Sequence, residues 1–118
     1  MSLKEIKTLW KAKKFEKALT RLEKLLARHK ECPHLWNLRG DLIQLLETQD
    51  GPPLAEAATS YKTALKLNPN GLETLESLAH FYDAVEPKPA RAKHYAEAYI
   101  AKAKRGLAEM ERVVAEEA

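Results

Sequence analysis

Three potential metal ligands lie close together in the segment His29-x-x-Cys32-x-His34. Imidazole nitrogen and thiolate sulfur are common zinc ligands, and a structural zinc site usually has four of them. A fourth ligand is missing here, and the segment is predicted to be an exposed turn between two helices. We therefore interpret the spacing as coincidental, and we expect neither a metal nor another cofactor.

A second group of chemically capable side chains falls on one face of a predicted helix. It consists of Glu73, Glu76, His80 and Asp83. The group could be an acid–base or metal-binding cluster, but stacked helices also present polar walls of this kind, and we favour the second interpretation. The sequence contains no glycine-rich phosphate loop and no nucleophile motif. These observations predict that the protein is not an enzyme.

Large and small side chains recur at fixed spacing in the chain. The segment Phe15-x-x-Ala18-x-x-x-Leu22-x-x-Leu25 returns as Leu54-x-x-Ala57-x-x-x-Tyr61-x-x-Ala64. The segment Trp36-x-x-x-Gly40-x-x-Ile43 returns as Leu75-x-x-x-Ala79-x-x-Tyr82. Ile6 precedes Gly40 by 34 residues, whereas each of the two segments above returns after 39 residues. One insertion of five residues near Thr48–Pro53 explains both of the longer distances. Stacked helical hairpins need such a pattern, because each hairpin buries its apolar face against the next.

This pattern resembles that of the tetratricopeptide repeat (TPR) family. The family's Trp, Leu-Gly, Tyr, Ala-x-x-x-Phe and closing Pro read here as Trp36, Arg39-Gly40, Ile43, Ala57-x-x-x-Tyr61 and Pro69. The resemblance implies an all-α fold, a right-handed α-solenoid of about three TPR hairpins with a C-terminal capping helix. It also implies that Gly40, Ala57 and Ala64 lie where helices cross closely, with Trp36 and Tyr61 filling the gaps. We expect a single domain over residues 1–118, with hairpins at about 2–32, 33–70 and 71–105.

Helix boundaries follow from capping residues and prolines. Ser2-x-x-Glu5 is a capping-box pattern, and Pro33 and Pro53 suit the first turns of helices. The second helix carries an apolar stripe from Phe15 to Leu26. The other predicted helices cover residues 2–12, 33–47, 53–69 and 71–85, and a further helix begins near residue 89.

The C-terminal stretch has two interpretations. Lys104-Arg105-Gly106 is typical of a helix C-terminus, with cations in the last turn and glycine beyond it. We therefore favour a break at Gly106 and a separate capping helix over residues 106–117. The alternative is one unbroken helix of about 44 Å. Its projecting half would bury an apolar stripe against a second copy, formed by Leu107, Met110, Val113 and Val114.

Composition limits the class of protein. At 118 residues the chain is long enough for one core without disulfides, and its single cysteine, Cys32, permits no internal disulfide and fits a reducing compartment. No segment approaches the roughly 18 apolar residues that span a bilayer. The N-terminus also lacks the apolar region of a secretory signal. We expect a cytoplasmic protein that does not use a membrane.

The net charge of +3 conceals an asymmetry along the chain. Residues 1–32 have ten Lys/Arg and four Asp/Glu, whereas residues 33–86 have three and eight. A basic face could bind nucleic acid, but few aromatic side chains lie beside it for stacking on bases. We keep nucleic-acid binding through the basic N-terminal helices as an alternative. The asymmetry otherwise indicates either solvated faces or a surface that orients a partner of mixed charge.

The TPR resemblance also implies a concave groove lined by the first helix of each hairpin. Transferred residue by residue, the groove contains Lys7, Trp10, Lys11, His34, Asn37, Asp41, Gln44, Glu73, Glu76, His80 and Asp83. Asn37 is the strongest candidate, since one amide can satisfy both the N–H and the C=O of a bound backbone. A subset of the family clamps a C-terminal carboxylate in this groove, but Leu3, Leu38, Glu73 and Ser77 occupy the clamp positions here. We expect binding of a protein or peptide segment, without a carboxylate clamp. An oligomerising scaffold, with the C-terminal helix joining a homodimer, is the main alternative.

Overall fold

A computed structural model describes residues 3–47 and 50–117, and every regular element within those ranges is helical. The elements are α1 (Leu3–Lys11), α2 (Phe15–Arg28), α3 (Pro33–Leu45), α4 (Ala55–Leu67), α5 (Leu72–His80), a π-helical turn (Phe81–Val85) and α6 (Pro89–Glu117). The all-α prediction is confirmed. None of the described helices combines the length and apolar composition needed to cross a bilayer. The predicted cap Ser2 and the inserted residues Thr48 and Gln49 lie outside the described ranges.

The predicted helix boundaries agree closely with these elements. Pro33 lies in the first turn of α3, where its missing N–H costs no hydrogen bond. Helix α4 begins at Ala55, two residues after Pro53, and ends two residues before Pro69. The predicted fifth helix is present over Leu72–Val85, but its last five residues form the π-helical turn.

The chain contains two compact units, Met1–Pro69 and Asn70–Ala118. In the first unit α1 packs on α2, α2 on α3, and α3 on α4. In the second unit α6 packs on α5 and on the π-helical turn. The single domain over residues 1–118 and its hairpin boundaries stay predictions.

Helices α3 and α4 approach each other closely at Gly40. A Cβ atom added to Gly40 would lie 2.5 Å from Cε1 and 2.7 Å from Cζ of Tyr61. Tyr61, Ala57 and Ala64 are each fully buried on α4. The prediction that small side chains permit a close crossing here is therefore confirmed. Trp36 is only half-buried, and its indole N–H donates to the Lys30 carbonyl at 2.8 Å.

Arg39 links three helices of the first unit. From α3, its guanidinium donates to Glu23 on α2 at 2.5 Å, and to Glu56 and Ser60 on α4 at 3.0 and 2.7 Å. Burial disfavours the charged form, but the hydrogen bonds to the two glutamates outweigh it and raise the pKa of Arg39 above its ordinary value. The charge of Arg39 is therefore paired with two carboxylates.

Helix α1 ends in a Schellman motif. The Lys13 N–H donates to the Trp10 carbonyl and the Lys14 N–H to the Leu9 carbonyl, both at 2.9 Å. The motif requires a left-handed residue, and Lys13 supplies it with φ of 59°. Glycine usually occupies this position because a side chain there makes the left-handed backbone costly.

We expect Lys13→Gly to raise the free energy of unfolding by about 0.5–1 kcal/mol, because it removes this backbone penalty. The measurement is urea denaturation followed by circular dichroism. Lys13→Ala is the matched control, since it shortens the same side chain but leaves a Cβ atom on the left-handed backbone. Equal effects of the two substitutions would contradict the assignment of strain to Lys13.

The second unit has an aromatic core. Phe81 and Tyr82 are each 1% exposed, and their rings meet edge to face with centroids 5.3 Å apart. Tyr82 stacks on Tyr95 of α6 at 6.0 Å, and the Arg91 guanidinium lies 5.4 Å from the centre of the Tyr82 ring. Lys102 donates to the Asn70 side chain at 2.8 Å. Side-chain contacts thus attach α6 to the rest of its unit as far as residue 102.

The break expected at Gly106 is wrong, because α6 is one helix of 29 residues. No described glycine has a positive φ, so Gly106 does not adopt the left-handed conformation of a C-terminal cap. The reason is energetic, since a glycine inside a helix costs only about 1 kcal/mol relative to alanine. The surrounding Ala, Lys, Arg, Leu, Glu and Met residues favour helix strongly enough to continue through it.

Alanine substitutions at the two helical glycines should have opposite effects. We expect Gly40→Ala to lower the free energy of unfolding by about 2 kcal/mol, because the added methyl group displaces a buried ring. Gly106→Ala, with nothing within 4 Å of the added Cβ, should leave stability unchanged or raise it slightly. Thermal unfolding measures both, and a neutral Gly40→Ala would show that the α3–α4 crossing is looser than described.

Candidate functional site

Side chains of α3 and α4 form a hydrogen-bonded cluster around the Tyr61 hydroxyl, which we call the Tyr61 cluster. The hydroxyl donates to Asp41 Oδ1 at 2.6 Å and accepts from Gln44 Nε2 at 2.6 Å. Asn37 Nδ2 makes a long contact of 3.5 Å with Asp41 Oδ2. Tyr61 is fully buried, whereas Asp41 and Gln44 are half-buried. The cluster therefore extends from the core of the first unit to its surface.

The helix periodicity of α3 explains why these residues meet. Asn37, Asp41 and Gln44 are four and three residues apart, so their side chains lie on one face of the helix. The missing Cβ at Gly40 lets the Tyr61 ring approach that face. Two of the predicted groove residues, Asp41 and Gln44, thus share one buried tyrosine as a hydrogen-bond partner, and Asn37 joins them only through Asp41.

Asn37 requires a correction. Its side chain was expected to be exposed to a partner, but the residue is only 1% exposed. Its Oδ1 atom is buried and has no hydrogen-bond partner among the described residues. The next residue, Leu38, is also buried, so this part of α3 faces the core. Asn37 therefore contacts Asp41 from the interior, and of these two residues only Asp41 reaches the surface.

The remaining groove candidates of the first unit lie at the surface. Lys7 and Lys11 on α1 are exposed, and Trp10 between them is half-buried. His34, in the first turn of α3, is exposed. Helix α1 thus presents two cations beside an indole ring that is partly accessible.

The four candidates of the second unit are also exposed: Glu73, Glu76, His80 and Asp83. The His80 Nε2 atom lies 3.8 Å from a Glu76 carboxylate oxygen, one helical turn away. His80 and Asp83 contribute to a surface cavity of about 440 Å³ between α5, the π-helical turn and α6. Tyr82 and Lys93 also line it. The interpretation of Glu73, Glu76, His80 and Asp83 as the wall of a groove stays a prediction.

The segment His29-x-x-Cys32-x-His34 connects α2 to α3 at the surface. His29 and His34 are exposed, and Cys32 is half-buried. Throughout residues 3–47 and 50–117, no three His, Cys, Asp or Glu side chains are arranged so that they could hold a metal ion.

The polar contacts of two residues of the first unit, Tyr61 and Arg39, were not predicted from the sequence. Tyr61 was expected only to fill a gap, although a tyrosine at the gap position already indicates that its hydroxyl needs polar partners. Arg39 was recognised only as a departure from the family pattern. Arg39 lies 16 residues from Glu23 and 17 from Glu56 in the sequence. Because the three residues belong to different helices, no local spacing pattern predicts that they pair.

Comparisons with known proteins identified no relative of this chain. No protein-family model matches it, and neither a curated protein nor a solved structure gives a match.

Tyr61→Phe tests the cluster directly. Removing the hydroxyl deprives Asp41 and Gln44 of their shared partner, so we expect a loss of about 1–2 kcal/mol in the free energy of unfolding. Tyr99→Phe, which removes the hydroxyl of a half-buried tyrosine on α6, should change stability by less than about 0.5 kcal/mol. The same loss in both variants would mean that the Tyr61 cluster contributes no more than an ordinary tyrosine hydroxyl.

Proposed function

We propose that this chain is a TPR-like binding module, a right-handed solenoid of helical hairpins that captures a segment of another protein without covalent chemistry. The observation that carries the proposal is the Tyr61 cluster. It holds the Asp41 carboxylate and the Gln44 amide in place on α3. The TPR resemblance assigns α3 to the inner wall of a groove.

Such a cluster suits the recognition of a peptide backbone. A carboxylate accepts hydrogen bonds from backbone N–H groups, and an amide both donates and accepts. Because the Tyr61 hydroxyl already orients Asp41 and Gln44, binding would order few additional rotamers. Pre-organisation of this kind strengthens binding by reducing the entropy lost on association.

Surface charge would select and orient the partner. Lys7 and Lys11 suit acidic side chains, whereas Glu73 and Glu76 suit Lys or Arg. Complementary charges chiefly increase the association rate and fix the orientation of the bound segment. A segment of mixed charge is therefore the partner that we propose. Cys32, the single cysteine, is compatible with a reducing cytoplasm, which is the location we propose.

Selection from a phage-displayed library of random peptides tests this proposal. The selected peptides should bind the purified chain in a fluorescence-polarisation assay. Asp41→Asn and Gln44→Ala should each raise the dissociation constant about tenfold, because each changes one pre-organised group. Helicity, followed by circular dichroism, should stay unchanged.

Asp50→Asn is the matched control, since it makes the same chemical change at an exposed aspartate of the first unit. It should alter the dissociation constant less than twofold, within about 0.4 kcal/mol. A library that yields no binders would contradict peptide capture. Binders that respond equally to Asp41→Asn and Asp50→Asn would contradict the role of the Tyr61 cluster.

A further inference from the structure

The C-terminal half of α6 exposes an apolar face. Every described residue from Lys104 to Glu117 is exposed, and α6 contains no buried residue along its whole length. Leu107 is 60% exposed, Met110 59% and Val114 70%. An isolated helix segment of this length is marginal in water unless its apolar face is packed.

The apolar residues follow the spacing of a coiled coil. Ile100, Ala103, Leu107, Met110 and Val114 are separated alternately by three and four residues, and we call them the C-terminal stripe. This alternation places the side chains along one seam, as in the a and d positions of a heptad repeat. The seam occupies residues 100–114, about 21 Å of helix.

We propose that the C-terminal stripe pairs with the same stripe of a second copy of this chain, with the two helices antiparallel. The inference is independent of the proposed peptide groove, since it uses only residues of α6. In this arrangement Leu107 packs against Met110 of the partner subunit, and Ala103 against Val114 of the partner subunit.

Charge complementarity favours the antiparallel direction. Lys104 and Glu111 occupy the same flanking position in successive heptads, beside the seam. Antiparallel pairing brings Lys104 close to Glu111 of the partner subunit, twice by symmetry. Parallel pairing would instead place Tyr99 near Lys104 of the partner subunit and Gly106 near Glu111 of the partner subunit, and neither contact pairs opposite charges.

The exposed area sets the strength of the association. The four large side chains of the C-terminal stripe, and Val113 beside them, are 40–70% exposed. The four are Ile100, Leu107, Met110 and Val114. Together they expose roughly 500 Å² per copy, toward the upper end of the largest apolar patches found on soluble monomers. About 1,000 Å² would be buried in total, which is at the low end for specific interfaces. The dimer should therefore dissociate in the micromolar range.

Sedimentation equilibrium of the full chain over about 1–200 µM tests the pairing. We expect a monomer–dimer equilibrium. Leu107→Asp should raise the dissociation constant at least tenfold, whereas Ala108→Asp, the same charge at an exposed neighbour outside the seam, should change it less than threefold. Leu107 is exposed in the single chain, so neither variant disturbs the buried core, and both should keep the stacking of Tyr82 on Tyr95, measured by near-ultraviolet circular dichroism.

A charge exchange tests the direction of pairing. Lys104→Glu and Glu111→Lys should each weaken the dimer severalfold, and the double variant should restore it. Restoration would not occur in a parallel dimer, where these residues are not paired with each other.

Disulfide cross-linking in a Cys32→Ser background gives a second measure of direction. Chains with Ala103→Cys mixed with chains carrying Val114→Cys should form a heterodimeric cross-link. Val114→Cys alone should not, because the antiparallel arrangement separates the two copies of residue 114 by roughly 16 Å along the axis. Cross-linking of Val114→Cys alone would overturn the antiparallel direction.

A chain that stays monomeric throughout this concentration range would overturn the inference. So would a monomer that binds lipid vesicles through Leu107, since the stripe would then have a different occupant.

Discussion

The contact of Gly40 with the Tyr61 ring is the constraint on which the first unit depends. It allows α3 and α4 to approach until a hydrogen atom, and no larger group, separates the backbone from the ring. The same approach determines where the Tyr61 hydroxyl emerges, and therefore where Asp41 and Gln44 are held. Packing in the core and polarity at the surface are thus two consequences of one close crossing. Arg39 reinforces the crossing from the adjacent position, by joining α3 to its neighbours on both sides.

Much of the fold could be predicted because its signals are local. Proline positions, the helical spacing of apolar residues and the recurrence of small residues predict where helices begin, end and cross. Gly40, Ala57 and Ala64 were identified in this way, and all three are buried. The C-terminal cap at Gly106 was wrongly predicted because Lys104-Arg105-Gly106 fits both a helix end and a helix interior. Which of the two occurs depends on the whole surrounding segment.

The site was less predictable, because the burial of a side chain depends on residues that are distant in the sequence. Asn37, Asp41 and Gln44 share a helix face, and the TPR resemblance had grouped all three in one groove. Asn37 nevertheless proved to be buried, whereas Asp41, one turn later, reaches the surface. Residues distant in sequence decide this difference, as they decide the pairing of Arg39. The TPR resemblance supplies a register for the groove, but it does not supply the depth of each side chain in this chain.

The π-helical turn makes the second unit sensitive to the deletion of a residue. Phe81 and Tyr82 are consecutive and both buried, although neighbouring positions of an α-helix point about 100° apart. The wider turn, closed by the Glu86 N–H on the Phe81 carbonyl, contains one residue more than an α-helical turn. Deleting Val85 would remove that surplus and rotate α5 relative to α6 within the second unit. The stacking of Tyr82 on Tyr95 would be lost, whereas a deletion in the exposed end of α6 would leave it intact.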